Sequence, residues 1–310
     1  MINDEDFEIL YCFDDNYNIQ ALTSIISYLD SVKQKQTINI IHTTGSIENQ
    51  LPKEIKDHKN LKIIKVYKFK NYEYKFPNIE NVHISEATYF RLFIQNYLEK
   101  NIKKIVYIDP DVICVNDPST KINLIFNEMK KNNKVISAKT EVYKSSENEE
   151  VFKRLKLTEK YFNAGVMLID FHEWSYRDLT NKLLKRLNDI SKDIKFWDQD
   201  VLNSFFDGDY FELDENLNFT AFKMKASDEQ KSLIHFLGSK KPWLTSGVFE
   251  KSSEIYHFNF RKFNSSTYHI EHKWKLASIK ELLKAIFLLK ILNLKFATKY
   301  LKEFFLSLRV

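Results

Sequence analysis

The 310-residue chain predicts an α/β fold, a single mixed, mostly parallel sheet flanked by helices and followed by an amphipathic helical C-terminal tail. Three observations predict it. Short apolar, β-rich runs alternate with helix-patterned segments, the order that parallel sheets with helical crossovers require. Hydrophobic residues make up 44% and charged residues 29%, the balance of a chain with a core to bury. The last stretch, from Lys273 onward, has neither Gly nor Pro and sets apolar residues opposite lysines at helical spacing.

Taken in order, Glu8 to Phe13, Ile38 to His42, Leu61 to Val66 and Lys104 to Ile108 predict strands. Between them Ile19 to Leu29, Ile47 to His58 and Ser85 to Tyr97 carry helical spacing. Ala164 to Ile169 is a buried strand by the same criteria, and Tyr176 to Ile190 and Asp198 to Phe206 are helices. The polar stretch Tyr143 to Glu150 predicts an exposed loop or lid insertion. These elements place a catalytic domain over 1–265 and a basic amphipathic tail over 266–310.

Composition excludes several classes. The five glycines, Gly45, Gly165, Gly208, Gly238 and Gly247, are too far apart for a Rossmann fingerprint, a P-loop or a nucleophile elbow. Cys12 and Cys114 lie in apolar stretches, against a disulfide framework or cysteine zinc site and in keeping with a reducing compartment. The opening MINDEDFEIL, acidic at four of eight positions, does not resemble a signal peptide, and no apolar run approaches the ~18 residues of a membrane span. A cytoplasmic protein is expected.

The net charge of +5 is uneven. Residues 273–310 carry nine Lys or Arg and two Glu, which leaves residues 1–272 at −2. Lys280, Lys284, Lys295, Lys299, Lys302 and Arg309 share one helical face, and apolar residues, interrupted by Lys290, cover the other, with a break near Asn293. That pattern suits an amphipathic helix or helix pair on the anionic inner face of the cytoplasmic membrane. The alternative is a helix packed on the domain. Nucleic acid is disfavoured, because the apolar face would then lack a role.

Three constellations carry chemistry. Asp109-Pro110-Asp111 places two carboxylates where an apolar strand runs out, the end at which open α/β sheets bind ligands, and the pair suits a divalent cation or a plain turn. Phe13-Asp14-Asp15-Asn16-Tyr17 offers acceptors to a base or ribose, or a helix cap. His235, Gly238 and Lys241 together suit a metal-bound diphosphate, whereas His235 alone would be a core residue.

With ATYFRL (87–92), FNAGVMLI (162–169), WDQDVLN (197–203) and HFLGSKKPW (235–243), these motifs resemble, in order and rough spacing, those of glycosyltransferase family 8. The resemblance runs from about Glu8 to Trp243 and is strongest to bacterial lipopolysaccharide galactosyl- and glucosyltransferases. It implies a GT-A fold, a UDP-hexose donor, Mn2+ or Mg2+, and transfer with retention to a glycan or glycolipid. It also implies roles by position. Asp109, Asp111 and His235 resemble the metal ligands, and Cys12, Asp14 and Asn16 would lie near the uridine. Gly238 and Lys241 would hold the diphosphate. Arg91, Asn163, Ala164, Asp198 and Gln199 would line the donor sugar and its anomeric carbon, with Arg91, Asp198 and Gln199 catalytic.

Imidazole beside two carboxylates favours Mn2+ over Mg2+. A neutral amide at Gln199 is a poor nucleophile, which favours same-face attack with the leaving phosphate taking the acceptor's proton. Two residues depart from the family pattern. Pro110 has no N–H to donate between the two carboxylates, and Cys12 stands where relatives often have Ala. A metal-dependent nucleotidyltransferase and a non-catalytic membrane-surface sugar-nucleotide-binding protein are the competing classes. The first usually needs a Gly-rich phosphate loop, and the second would not keep the metal ligands.

Overall fold

The computed structural model describes residues 7–70, 74, 76–77, 86–224, 230–272, 275–288 and 294–308, the side chains of 294–296 excepted. The first half holds β1 (Glu8–Phe13), α1 (Asn18–Ser31), β2 (Gln36–His42), α2 (Ile47–Gln50), α3 (Lys53–Lys56), β3 (Leu61–Lys68), β4 (Lys104–Ile108), β5 (Val112–Cys114), α4 (Ser119–Lys131) and β6 (Ile136–Tyr143). Then come α5 (Glu149–Leu155), β7 (Lys160–Asp170), α6 (Phe171–Tyr176), α7 (Leu179–Asp189), α8 (Trp197–Phe206), β8 (Phe211–Glu212), β9 (Phe219–Thr220) and β10 (Leu233–His235). Helices α9 (Ser253–Phe260), α10 (Lys275–Phe287) and α11 (Leu294–Ser307) close the chain.

The main sheet has the order β3-β2-β1-β4-β7-β6-β8. Its first four strands are parallel, β7 runs antiparallel to both β4 and β6, and β8 is parallel to β6. Both faces are covered, which is why strands such as EILYCF read as continuous apolar runs. Leu10 and Cys12 point into one core with Phe90, Phe93, Met167 and Leu183. Ile9, Tyr11 and Phe13 point into the other with Ile25, Leu29, Phe126 and Leu168.

The sheet expected as single is accompanied by a second, of order β5-β10-β9. After β4 the chain turns at Pro110, where Val112 N–H donates to Asp109 O at 3.1 Å, and β5 leaves the main sheet to pair with β10. The helix expected over Ile47 to His58 is two short turns, because Pro52 has no N–H for the ladder and disfavours a helical residue before it. The helix expected from Tyr176 begins only at Leu179, since Asp178 is left-handed with φ +52°. Ser85 lies outside the described residues; the rest of its expected helix is a 3-10 helix over Glu86–Asn96. Residues 144–148 form an exposed connection, and α5 begins within the expected insertion.

The tail helices pack inward. Leu282 of α10 joins Tyr300 and Phe304 of α11 in a cluster with Val248 and Tyr268. Glu303 accepts the backbone N–H groups of Thr267 and Tyr268 at 2.9 and 2.7 Å. The outer surface leaves Leu283, Phe287, Phe305 and Leu306 exposed, Phe287 at 84%. Lys273, Lys290, Asn293 and Arg309, named in the amphipathic pattern, lie outside the described residues. Among the described residues no helix is long and apolar enough to cross a membrane.

Candidate active site

The site forms at the C-terminal ends of β1 and β4, where the small sheet meets the main one. Antiparallel pairing of β10 with β5 sets His235 opposite Val112, so the ring comes to Asp111 from a segment more than a hundred residues away in sequence. One ligand atom each from Asp109, Asp111 and His235 lies within 4.8 Å of the others. His235 Nε2 is 3.2 Å from Asp111 Oδ1, and that buried oxygen accepts no well-aligned hydrogen bond among the described residues. An orphaned buried carboxylate oxygen is costly. Two carboxylates and an imidazole converging on it fit a transition-metal ion.

Asp111 Oδ2 accepts from Lys241 Nζ at 2.5 Å. Burial alone would raise this carboxyl, but Lys241 and His235 outweigh it and hold Asp111 well below the usual carboxylate range. Asp109 goes the other way: burial raises it against the opposing charge of Arg91. Lys241, implied at the diphosphate, is thus drawn to Asp111 and also donates to Phe236 O at 2.7 Å. Gly238, three residues before it, has φ +76°, a conformation glycine adopts without strain.

Arg91 links the two halves of the site. It comes from the 3-10 helix and is 5% exposed. Its Nη2 lies 3.2 Å from Asp109, its Nε 2.8 Å from Asp198, and its Nη1 donates to Ala164 O at 2.6 Å. Its guanidinium also covers the Tyr107 ring at 4.3 Å. One cation facing a buried and a half-buried carboxylate cannot neutralise both. Burial accordingly pushes Asp198 up to about 7 despite Arg91, with Asp109 adding to the rise.

Asp198 and Gln199 lie in the first turn of α8, and their neighbours hold that helix. Asp200, fully buried, accepts Arg154 Nη1 at 2.7 Å, Tyr161 OH at 2.8 Å and the N–H groups of Lys195 and Phe196. Tyr161 spends its proton on Asp200 and so accepts from Gln199 Nε2 at 3.1 Å, which turns Gln199 Oε1 to Ala164 N–H at 3.0 Å. Asn203 pairs with both backbone groups of Phe162. Trp197, at φ +45°, is a left-handed non-glycine residue beside Asp198 and Gln199, the kind of strain that surrounding bonds must hold in place.

Strand β7 bulges here. Its pairing with β6 runs from Met167 opposite Ala138 straight to Asn163 opposite Lys139, so the residues between are passed over. The residues passed over are Ala164, Gly165 and Val166, and Ala164 and Gly165 lie against Arg91 and His235. Asp14, at the end of β1, accepts Asn16 N–H and Nδ2 at 3.0 and 3.1 Å and caps the next turn, so the capping role is real. Cys12 is buried in the strand before it.

Direct contacts join Arg91, Asp109, Asn163, Ala164, Asp198 and Gln199 in one set and Asp111, His235 and Lys241 in another, and Asn218 bridges Asn163 to His235, while Cys12, Asp14, Asn16 and Gly238 lie on flanking segments. Sequence reasoning missed Tyr107, Tyr161, Asp200 and Asn218. Tyr107 was findable, because residues two apart on a strand share a face and Tyr107 OH donates to Asp109 Oδ1. Asn218 carried no spacing signal.

A mostly parallel sheet with an acidic pair and a distant histidine at its strand ends, and an arginine–carboxylate set beside them, defines a glycosyltransferase of GT-A fold. The profile of Glycosyl transferase family 8 matches residues 8–247, and the chain belongs to that family. It is 25% identical over 288 residues to General stress protein A of Bacillus subtilis (strain 168), covering 86% of this chain and 97% of that protein. To a lipopolysaccharide 1,2-glucosyltransferase of Escherichia coli it is 29% identical over 263 residues, covering 77% and 74%. The crystal structure of the galactosyltransferase LgtC with donor and acceptor sugar analogs shares the fold at TM-score 0.68 and 19% identity, covering 87% and 99%.

Proposed function

We propose that this glycosyltransferase is a retaining hexosyltransferase, moving galactose or glucose from a UDP-sugar to a hydroxyl of a glycan or glycolipid, with Mn2+ or Mg2+ held by Asp109, Asp111 and His235. The observation that carries the reading is the convergence of Asp109, Asp111 and His235, with ligand atoms within 4.8 Å of one another, beside the Arg91 guanidinium that pairs with Asp109 and Asp198. The names of the relatives, lipopolysaccharide glucosyltransferase among them, support the donor and acceptor classes. A bound divalent cation would stabilise the negative charge that develops on the departing diphosphate.

The other roles follow the same reading. Cys12, Asp14 and Asn16 receive the uridine at the end of β1, and Gly238 and Lys241 the diphosphate. Asn163, Ala164 and Arg91 orient the hexose. Gln199 has its amide oxygen on Ala164 N–H and its nitrogen on Tyr161, which makes it an orienting group and a poor nucleophile. Attack then comes from the face the leaving group departs. The bond from the anomeric carbon to the phosphate oxygen breaks, the bond to the acceptor oxygen forms, and the acceptor's proton passes to UDP.

The same reading divides the chain into a catalytic unit over 1–265 and a tail over 266–310 whose outer face rests on the anionic inner leaflet of the cytoplasmic membrane. Exposed Leu283, Phe287, Phe305 and Leu306, with exposed Lys280, Lys284, Lys299 and Lys302, support it. Incubation with Mn2+ and a panel of nucleotide sugars, followed by NMR, tests the chemistry. UDP release with an α-configured product is expected. A β product overturns retention, and formation of UTP and sugar 1-phosphate on addition of inorganic pyrophosphate assigns a nucleotidyltransferase instead.

A further inference from the structure

We infer that Asn218 is a positioning residue that decides which ring nitrogen of His235 faces the metal site, through a hydrogen-bond relay that starts at a backbone amide. The inference rests on the reading of His235 as a ligand. Asn218 follows the 3-10 turn Glu215–Leu217 and precedes β9, which pairs in parallel with β10 and sets Thr220 beside His235. Lys139 Nζ donates to its backbone oxygen at 3.0 Å and ties it to β6.

The relay has only one polarity. The Gly165 N–H can only donate, and it lies 3.0 Å from Asn163 Oδ1, so that atom is the amide's oxygen. The same oxygen lies 3.0 Å from Asn218 Nδ2, which turns the Asn218 oxygen away toward His235 Nδ1 at 2.9 Å. An amide oxygen only accepts. The proton of a neutral ring is therefore held on Nδ1, and the lone pair of Nε2 is left facing Asp111. Asn163, Asn218 and His235 are 8%, 2% and 3% exposed, so water does not substitute for these partners.

Asp111 competes with the relay: its Oδ1, 3.2 Å from Nε2, would itself welcome a proton there. An imidazole protonated on Nε2 cannot ligate through that atom, so the relay is what keeps the site ready for a cation. It also ties the ligand to Asn163 at the sugar end through one intervening side chain.

The test is 15N NMR of the neutral His235 ring in the metal-free full-length protein, together with Mn2+ affinity measured by EPR of free Mn2+. Wild type is expected to carry the proton on Nδ1. Asn218→Asp keeps an acceptor against Nδ1 and should keep that tautomer. Asn218→Leu should populate the Nε2-protonated form and weaken Mn2+ binding by about 10–100-fold. A wild-type ring protonated on Nε2 overturns the proposal, as does an Asn218→Leu protein with both tautomer and Mn2+ affinity unchanged. If Asn218→Leu does not fold, the wild-type and Asn218→Asp spectra decide. A wild-type protein with Nδ1 protonated that binds no Mn2+ would sink the metal reading and leave the relay standing.

Discussion

A β-carbon on Gly165 would fall 2.1 Å from Cε1 of His235. The strand backbone of β7 is the floor on which the imidazole lies, and the same missing carbon would sit 3.0 Å from Asp109 Oδ2. Both backbone groups of Gly165 are also in use: its N–H orients Asn163, and its carbonyl accepts Asp109 N–H at 2.8 Å. The bulge in β7 is what brings this residue under the ring.

Gly165→Ala is accordingly expected to displace His235. Overpacking of this kind costs about 1–3 kcal/mol, read by denaturant unfolding, and Mn2+ affinity should fall by more than about tenfold, as for a lost ligand-orienting contact. Unchanged Mn2+ affinity in a folded Gly165→Ala protein would contradict the packing argument.

Arg91→Met should be among the most destabilising single changes at the site. It leaves buried Asp198 and half-buried Asp109 without their cation, a loss of about 3–5 kcal/mol for the broken buried Arg91–Asp198 pair. Adding Asp198→Asn removes one of the stranded carboxylates and should recover part of that loss. The double-mutant cycle measures it, and strictly additive effects would mean that the two residues do not interact.

The Asp198 carboxyl, raised by burial to about 7 from 3.8, makes stability depend on pH in a defined direction. Between those values the folded state holds a proton that the unfolded chain has lost, so stability falls as pH rises across that window, by at most about 1.4 kcal/mol per pH unit. Stability from this group is fully present below pH 3.8 and gone above about 7. Thermal melts of wild type and Asp198→Asn should diverge across this range, the variant showing the flatter profile; parallel profiles would assign the proton elsewhere.

The two faces of the tail separate experimentally. Tyr300→Ala removes a fully buried ring from the cluster with Val248 and Tyr268 and should cost about 3–5 kcal/mol. Leu283→Gln with Phe287→Gln alters only exposed positions and should leave melting unchanged while reducing sedimentation with phosphatidylglycerol vesicles, an effect that salt reproduces for the wild type. Equal sedimentation of the double variant would remove the membrane role. Removing the whole tail would not test it, because Tyr268 and Val248 would lose their cover.

Much of the site was legible because its chemistry is written in short segments. Asp109 and Asp111 are one residue apart at a strand end, and Asp198 and Gln199 are adjacent at the start of a helix. Strands β1 and β4 were visible as apolar runs because both faces of the sheet are covered. Where local order misled, a nearby residue explains it: Pro52 split a helix that apolar spacing alone would extend, and Asp178 delayed the start of another.

The sequence by itself determined the α/β class, the strand ends that carry acidic residues, the family motifs and the basic amphipathic tail, since each depends on residues within a few positions of one another. Only the tertiary structure decided that a second small sheet delivers His235 to Asp111, that Arg91 must serve two carboxylates at once, and that Asn218 faces His235. The same holds for the tail, whose buried and exposed apolar residues were alike on a helical wheel until Val248 and Tyr268 covered one set. The physical reason is common to all four. Hydrogen-bond polarity, charge sharing and burial are properties of neighbours in space, and here those neighbours lie from 17 to more than a hundred residues apart along the chain.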